Sequence, residues 1–285
     1  MNDVELTLES LHLYPIKSCG GVSIGAALLI ETGLELDRAW MVVDASGEFV
    51  TQRELPRLAL VQPTIGRSDM VLRAPGMLAL HVSLDTVEKP TRVRVWNDEV
   101  AAYDMGDLAA QWFSDFLGQT CRLVRFDPAQ RRLSKREWTG AIEAENAFSD
   151  GFPLLVVSRA SLGELNRRLD GQGHAAVDMA RFRPNLVFDG LDAHGEDHLD
   201  EIRLEGTEGT IRMKLVKPCA RCSIPDINPA SAEQGHAVTD TLAAYRADAG
   251  LNGALTFGMN AVIVEGIARV LRVGAVTHAS YHFDG

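Results

Sequence analysis

Cysteine is scarce in this chain. Its 285 residues carry four, Cys19, Cys121, Cys219 and Cys222. That is too few for a disulfide framework, and nothing in the sequence points to an oxidising compartment. Positive charge is also short: Lys and Arg number 28 against 39 Asp and Glu, for a net charge of −11. Neutralising nucleic-acid phosphates needs a basic excess, and so does docking on anionic lipid, so neither nucleic acid nor membrane is an expected partner. No run approaches the ~20 apolar residues of a membrane span. The opening MNDVELTLESLHLYP lacks the basic and apolar regions of a secretory signal. The expectation is a cytoplasmic protein with reduced thiols. An anionic small molecule stays open as a ligand if its cationic contacts are local. Repeats and low-complexity tracts are absent. So are a Gly-x-Gly-x-x-Gly after a strand, a Walker spacing, HExxH and GxSxG.

What is present reads mainly as short strands. SLHLYPIKS, VSIGAALLIE, AWMVVDASGEFVT, LALVQPTI, MVLRAPGMLALHVS and TRVRVWNDEVAAY are separated by turn signals such as Gly20-Gly21, Ser46-Gly47 and Asn97-Asp98. Later strands follow in PLLVVS, NLVFDG, DEIRLEG, TIRMKLVKP, NAVIVEG and ARVLRVGAVT. Three segments read as helices. DLAAQWFSDFLG has Asp107 as cap, Gly118 as stop, and Leu108, Trp112, Phe116 and Leu117 on one face. SLGELNRRLDG has a Ser161/Glu164 capping box and Leu162, Leu165 and Leu169 along one side. TDTLAAYRADAG starts near Thr239 or Asp240 and carries Leu242 and Tyr245. Strands and helices do not alternate, so a doubly wound parallel sheet is not expected. The fold class is mainly β with some α (α+β), in two β-rich modules, residues 1–127 and 128–285. The polar stretch over 128–151 reads as an inter-domain loop or lid.

The Cys219-Ala220-Arg221-Cys222 pair admits four chemistries. Structural zinc needs four Cys or His ligands, which His194 and His198 would complete. A redox dithiol needs its first Cys at a helix N-terminus, whereas this pair follows a strand and Pro225 and Pro229 oppose a helix after it. A structural thiol behaves as a small hydrophobe. The fourth is one thiolate on a soft metal centre, helped by the charge of Arg221 and Lys217.

Other clusters carry cations. Lys17 and Ser18 end a strand before Gly20-Gly21, whose backbone can approach an anion or simply turn. Arg38 opens an apolar strand and either pairs at the surface with Asp37 or Asp44 or points into a site. Arg181, Arg183 and Asn185 surround Pro184 at a strand mouth. Arginine recognises phosphate and stacks on flat heterocycles; the alternative is a salt bridge to DGLDAHGED. The basic run RRLSKR, residues 131–136, reads as a solvated loop, with a lid or a docking patch for an acidic donor as the alternatives.

In order and spacing, LYPIKSCGGVSI, GLELDRAWMVVDASGEFVTQRELPRLALV, SDGFPLLVVSRASLGELNRRL, ARFRPNLVFDG, VKPCARCSIPDINP and LTFGMNAVI resemble the MOSC proteins that carry an added N-terminal β domain. That branch includes the mitochondrial amidoxime-reducing components. The resemblance implies a MOSC β-barrel packed on an N-terminal β-rich domain, with molybdenum cofactor (Mo-molybdopterin) in the cleft between them. It implies that Cys222 is the thiolate to molybdenum, with Arg221 beside it. Lys17, Ser18 and Arg38 would hold the pterin or its phosphate from one side, and Arg183 and Asn185 from the other. Asp150, Gly151 and Phe152 would close over it, and Asn260 matches a further contact. The implied activity is reduction of N-hydroxylated small molecules such as amidoximes and hydroxylaminopurines, with electrons from a separate reductase or ferredoxin-type protein. The alternative is a carrier of the cofactor or its sulfur. The sequence departs from the pattern at SIPDINP, where a Thr-rich segment is usual, and at Met259, where glutamine is usual.

Overall fold

The computed structural model describes residues 4–282 except 88, 207 and 208. Seven strands close into a barrel: β1 (Val4–Leu13), β2 (Leu154–Ser158), β3 (Leu186–Asp189), β4 (Leu199–Gly206), β5 (Gly209–Ala220), β6 (Ala254–Glu265) and β7 (Val276–Tyr281). Their order is β2-β3-β1-β7-β4-β5-β6, and β2 pairs again with β6 to complete the ring. An odd ring cannot alternate direction throughout, and the one parallel pairing in it is β2 with β3. The protein is therefore mostly β with few helices, as the sequence leads one to expect.

The leucines of β1 show how the barrel core is read from the chain. Leu6 and Leu8 keep the period-two alternation of a strand, but Leu11 and Leu13 are one residue out of phase with them. A register shift against β3 between Leu8 and Ser10 absorbs the extra residue. All four leucines then enter the same core, with Val156, Phe188, Ile202, Met213 and Leu215. A bulge here re-aims the strand rather than interrupting it.

A second module packs beside the barrel. Its four-stranded sheet runs Trp40–Asp44, Cys121–Phe126, Asp98–Asp104, Lys89–Val95. The helix Asp107–Leu117 and a three-stranded sheet, Gln62–Ile65, Asp69–Arg73 and Leu80–Ser83, complete a core around Trp40, Met70, Phe113 and Phe116. Strand pairing divides the chain less simply than one cut at residue 127. β1 belongs to the barrel, and Ala26–Ile30 pairs with Val270–Arg272 near the other end of the chain. The chain starts in the barrel, leaves to build the second module, and returns.

The helix starts differ from the local reading. Gly106, at φ 90°, caps the first helix without a side-chain bond, and Asp107 pairs with Arg122 instead. Leu108 is 74% exposed because the buried stripe centres on Ala109, Phe113 and Phe116, and Leu108 falls off its edge. Gly118 does close the helix in the left-handed conformation. The helix Arg159–Gly171 begins earlier than expected: Ser158 is its cap and accepts from the Ser161 amide. Ser161 is then free to donate to buried Glu196, and Glu164 pairs with Arg167 and Arg168. Helix Ala237–Ala243 has no local side-chain cap. Asp226, 12 residues upstream, fills that role: its Oδ1 accepts from the amides of Val238 (2.9 Å) and Thr239 (3.2 Å).

One glycine in β6 sits where a side chain is strained and crowded. Gly258 has φ 78°, and a Cβ there would stand 2.7 Å from the Val156 carbonyl oxygen of β2. Gly258→Ala should cost about 2 kcal/mol or more, from left-handed strain plus a backbone clash. Thermal unfolding should show a fall of several degrees; an unchanged midpoint would contradict the packing at the barrel seam.

Candidate functional site

β5 carries the cysteine pair to the mouth of the barrel. Its pairing with β6 shifts register between Pro218 and Ala220, the extra residue lying on the β6 side between Met259 and Thr256, and ends at Ala220 opposite Thr256. Arg221 and Cys222 emerge beyond the last pair. Cys222 is exposed and Cys219 half-buried, and both are free thiols. The chain then makes a short turn at Ile224–Asp226, which Asp226 pins to the following helix. SIPDINP is thus a braced loop.

Cations from distant parts of the chain gather near this loop. Arg221 donates from Nη1 to Cys219 Sγ (3.0 Å) and from Nη2 to the Phe182 carbonyl (2.8 Å). Arg38 donates to the Arg183 carbonyl (3.0 Å), and Arg183 to the Cys19 carbonyl (2.5 Å). Both guanidiniums lie on the ring of Tyr14, at 4.4 Å for Arg38 and 4.2 Å for Arg183. Burial, and then the Arg38 charge, push the Arg183 pKa down to about 10. Burial raises Tyr14 to about 12 against the pull of those arginines. Backbone strain marks the same place. Ser18, Arg38 and Arg183 all hold positive φ (66°, 47° and 57°), a region costly for side chains of this kind.

The Arg38–Asp37 pair is not the surface contact allowed for above. Asp37 is buried and Arg38 nearly so, at 2.5 Å, and Asp37 also accepts from the Tyr14 amide. Lys17 is buried too, donating to Asp150 Oδ1 (2.5 Å) and the Phe148 carbonyl (2.9 Å). Desolvation lowers its pKa, and Asp150 opposes that. Asp150 itself is 73% exposed, so water screens the pair on one side. Gly151 and Phe152 follow, half-buried.

Other candidates have structural partners. Asn185 is buried; its Oδ1 accepts from the Leu155 amide and its Nδ2 donates to the His12 carbonyl, tying β2 and β1 together beside β3. Asn260 donates to the Lys217 carbonyl across β5 and β6. Arg181 donates to the Pro225 carbonyl and not to the acidic loop. The Gly20-Gly21 pair does not adopt positive φ. It is small because the Gln62 amide and the Tyr14 ring press against it. Gln52, holding the Ser18 carbonyl at 2.6 Å, and Tyr14 itself escaped the sequence reading. A cavity of about 170 Å³ opens between the modules, walled by Tyr14, Gly20 and Gln62 on one side and Arg183, Ile224 and Ile227 on the other. Cys222 stands outside it, two residues from Ile224.

Two alternatives lose support. His194 lies against Tyr245 (5.5 Å) and Phe257 (5.8 Å), and among the described residues no three His, Cys, Asp or Glu side chains come together as a metal site. The zinc arithmetic therefore does not close. The arginines of the basic run at 131–136 are paired locally: Arg131 and Arg136 with Glu143, Arg131 also with Glu145, and buried Arg132 with Asp98.

Comparison with known proteins decides the family. The MOSC N-terminal beta barrel domain matches residues 5–120, and the MOSC domain matches residues 143–278. The chain belongs to the MOSC family. Among its relatives, mitochondrial amidoxime-reducing component 1 of Mus musculus is 36% identical over 78% of this chain and 66% of that protein. Mitochondrial amidoxime reducing component 2 of Bos taurus is 36% identical over 78% and 67%. Molybdenum cofactor sulfurase of Homo sapiens is 31% identical over 84% of this chain but 28% of its own length. This MOSC chain thus spans about two thirds of the length of the amidoxime-reducing relatives. Among the described residues, no helix is long and apolar enough to cross a membrane.

His194 supplies a pH prediction. Burial, then the Arg246 charge, lower its pKa to about 4 from 6.5. Between pH 6.5 and 4 the unfolded chain binds a proton there and the folded one does not, so stability falls as pH falls through that window. Allowing for solvent screening of this partly buried ring, the loss is on the order of 2 kcal/mol. Asn tolerates the left-handed φ of 63° at this position. In denaturant titrations, His194→Asn should lose stability less steeply than the wild type from pH 6.5 to 4; parallel curves would contradict a buried neutral imidazole.

Proposed function

We propose that this MOSC protein is a molybdenum-cofactor-dependent oxidoreductase that reduces N-hydroxylated small molecules, amidoximes and hydroxylaminopurines among them. The observation that carries the reading is the pair of buried guanidinium nitrogens with no hydrogen-bond partner, Arg183 Nη2 and Arg221 Nε. Buried donors without partners are costly, and neither arginine forms an ion pair among the described residues. Such a site suits an anion, and a pterin phosphate is one. A single exposed thiol beside it suits a metal whose other sulfur ligands come from the pterin. The residues fit the group.

In this reading Cys222 supplies one thiolate, and Arg221 beside it holds Cys219 Sγ and the Phe182 carbonyl. Arg183, Arg38, Ser18 and Lys17 hold the anionic end, and Asp150, Gly151 and Phe152 border it. Asn185 acts by fixing the backbone from which Arg183 projects, and Asn260 by fixing β5. When bound, the cofactor supplies the two-electron chemistry at the N–O bond, while the protein binds, orients and tunes it. Asp226, by pinning the loop after Cys222, keeps the substrate side rigid. Two electrons and two protons per turnover, with water as product, must come from outside the chain. A separate reductase or a ferredoxin-type protein is the fitting donor, and the cytoplasm the fitting compartment.

The likeness to molybdenum cofactor sulfurase supports a second reading, a carrier that holds the cofactor or its sulfur without turnover. One experiment separates the two. Protein from a cofactor-competent host is assayed for molybdenum and pterin, then for benzamidoxime reduction with a chemical donor. The oxidoreductase reading predicts equimolar molybdenum and pterin, turnover, and loss of both in Cys222→Ala. Bound cofactor without turnover favours the carrier. A Cys222→Ala protein that keeps metal and activity overturns the assignment.

A further inference from the structure

Trp96 sits at the tip of the hairpin formed by Lys89–Val95 and Asp98–Asp104, and three features set it apart. It holds φ 55°, a left-handed conformation that a bulky side chain rarely adopts. It is 42% exposed. Its ring is nonetheless fixed, with Phe49 at 5.0 Å on one contact and the Arg53 guanidinium at 4.9 Å on another. The positive φ belongs to the first loop residue of a two-residue hairpin closed by Val95 and Asp98, a place that glycine fills at least cost.

The indole N–H has a specific partner. It donates to Asp150 Oδ1 at 3.0 Å, the same oxygen that accepts from Lys17 Nζ at 2.5 Å. Phe49 touches both ends of this chain, since Lys17 Nζ stands 5.5 Å from its ring. Asp150 is the carboxylate facing Lys17. The other charged groups near it are Arg38, balanced by Asp37, and Arg132, balanced by Asp98. Both cations repel the ammonium, and burial disfavours its charge. An exposed aspartate would by itself swing through solvent and hold Lys17 weakly.

We propose that Trp96 is a positioning residue: its indole N–H fixes Asp150, and Asp150 in turn fixes the Lys17 ammonium at the wall of the cationic cluster. That Lys17 then serves an anionic cofactor rests on the function proposed above; the chain from Trp96 to Lys17 does not.

The test reads Lys17 directly in cofactor-free protein, by NMR titration of its side chain, with Lys17→Arg to assign the signal. Trp96→Phe keeps an aromatic ring and removes the N–H. The Lys17 pKa should fall by about half a unit or more, and by about one unit or more in Asp150→Asn. Trp96→His, which restores an N–H donor, should recover part of the shift. A Lys17 titration unchanged in Trp96→Phe, with Asp150→Asn shifted, would reduce Trp96 to packing and overturn the proposal. No shift in either variant overturns it at Asp150. Molybdenum and pterin content, measured separately against pH on cofactor-loaded protein, should be lost at lower pH in Trp96→Phe than in wild type. If the Lys17 shifts occur while the wild type binds no cofactor, the cofactor reading fails and the positioning role stands.

Discussion

Two guanidiniums from distant parts of the chain share the ring of Tyr14, and the rest of the site follows from how that repulsion is tolerated. Arg38 and Arg183 repel each other, and burial weakens the screening between them. Asp37 balances Arg38, whereas Arg183 is held by a carbonyl and an aromatic face and by no carboxylate among the described residues. Carbonyls and rings solvate a cation without cancelling its charge. The arrangement therefore keeps a positive field facing the gap between the modules in a protein whose net charge is −11.

The architecture exists on both sides of this contact. β1 starts in the barrel and delivers Tyr14, Lys17 and Ser18 just after it ends at Leu13. The strand Trp40–Asp44 begins two residues after Arg38. β3 starts three residues after Arg183, and β5 stops just before Arg221 and Cys222. Every candidate cation thus sits on an element end, where the backbone can turn sharply while the strands beside it stay rigid. The positive φ of Ser18, Arg38 and Arg183 is the local cost of aiming side chains inward from such ends. The braces are equally distributed: Asn185 locks β1 to β2, and Asp226 locks the cysteine loop to its helix.

Much of this was legible in the sequence because it was written in short-range signals. Strands showed as alternation and turns, and the cysteine pair, Lys17, Arg38 and Arg183 stood out as charge or chemistry in apolar surroundings. The misses share one physical reason, which is distance along the chain. Asp226 caps a helix 12 residues away, and no capping pattern looks that far. Ser158 took the cap that Ser161 seemed to offer, because Glu196 recruited the Ser161 hydroxyl across 35 residues. Tyr14 and Trp96 carry no sequence signal of their own. Their roles come from partners that only the fold supplies, Arg38 and Arg183 for one and Asp150 for the other. The one-residue slip in the β1 leucines takes its meaning as a bulge only from β3 beside it.

The most direct test of the central claim is diffraction at the molybdenum absorption edge from crystals of the cofactor-loaded protein. The account predicts an anomalous peak at bonding distance from Cys222 Sγ, with the anionic end of the ligand against Arg183 and Lys17. A peak elsewhere, or a ligand that leaves Arg183 untouched, would contradict it.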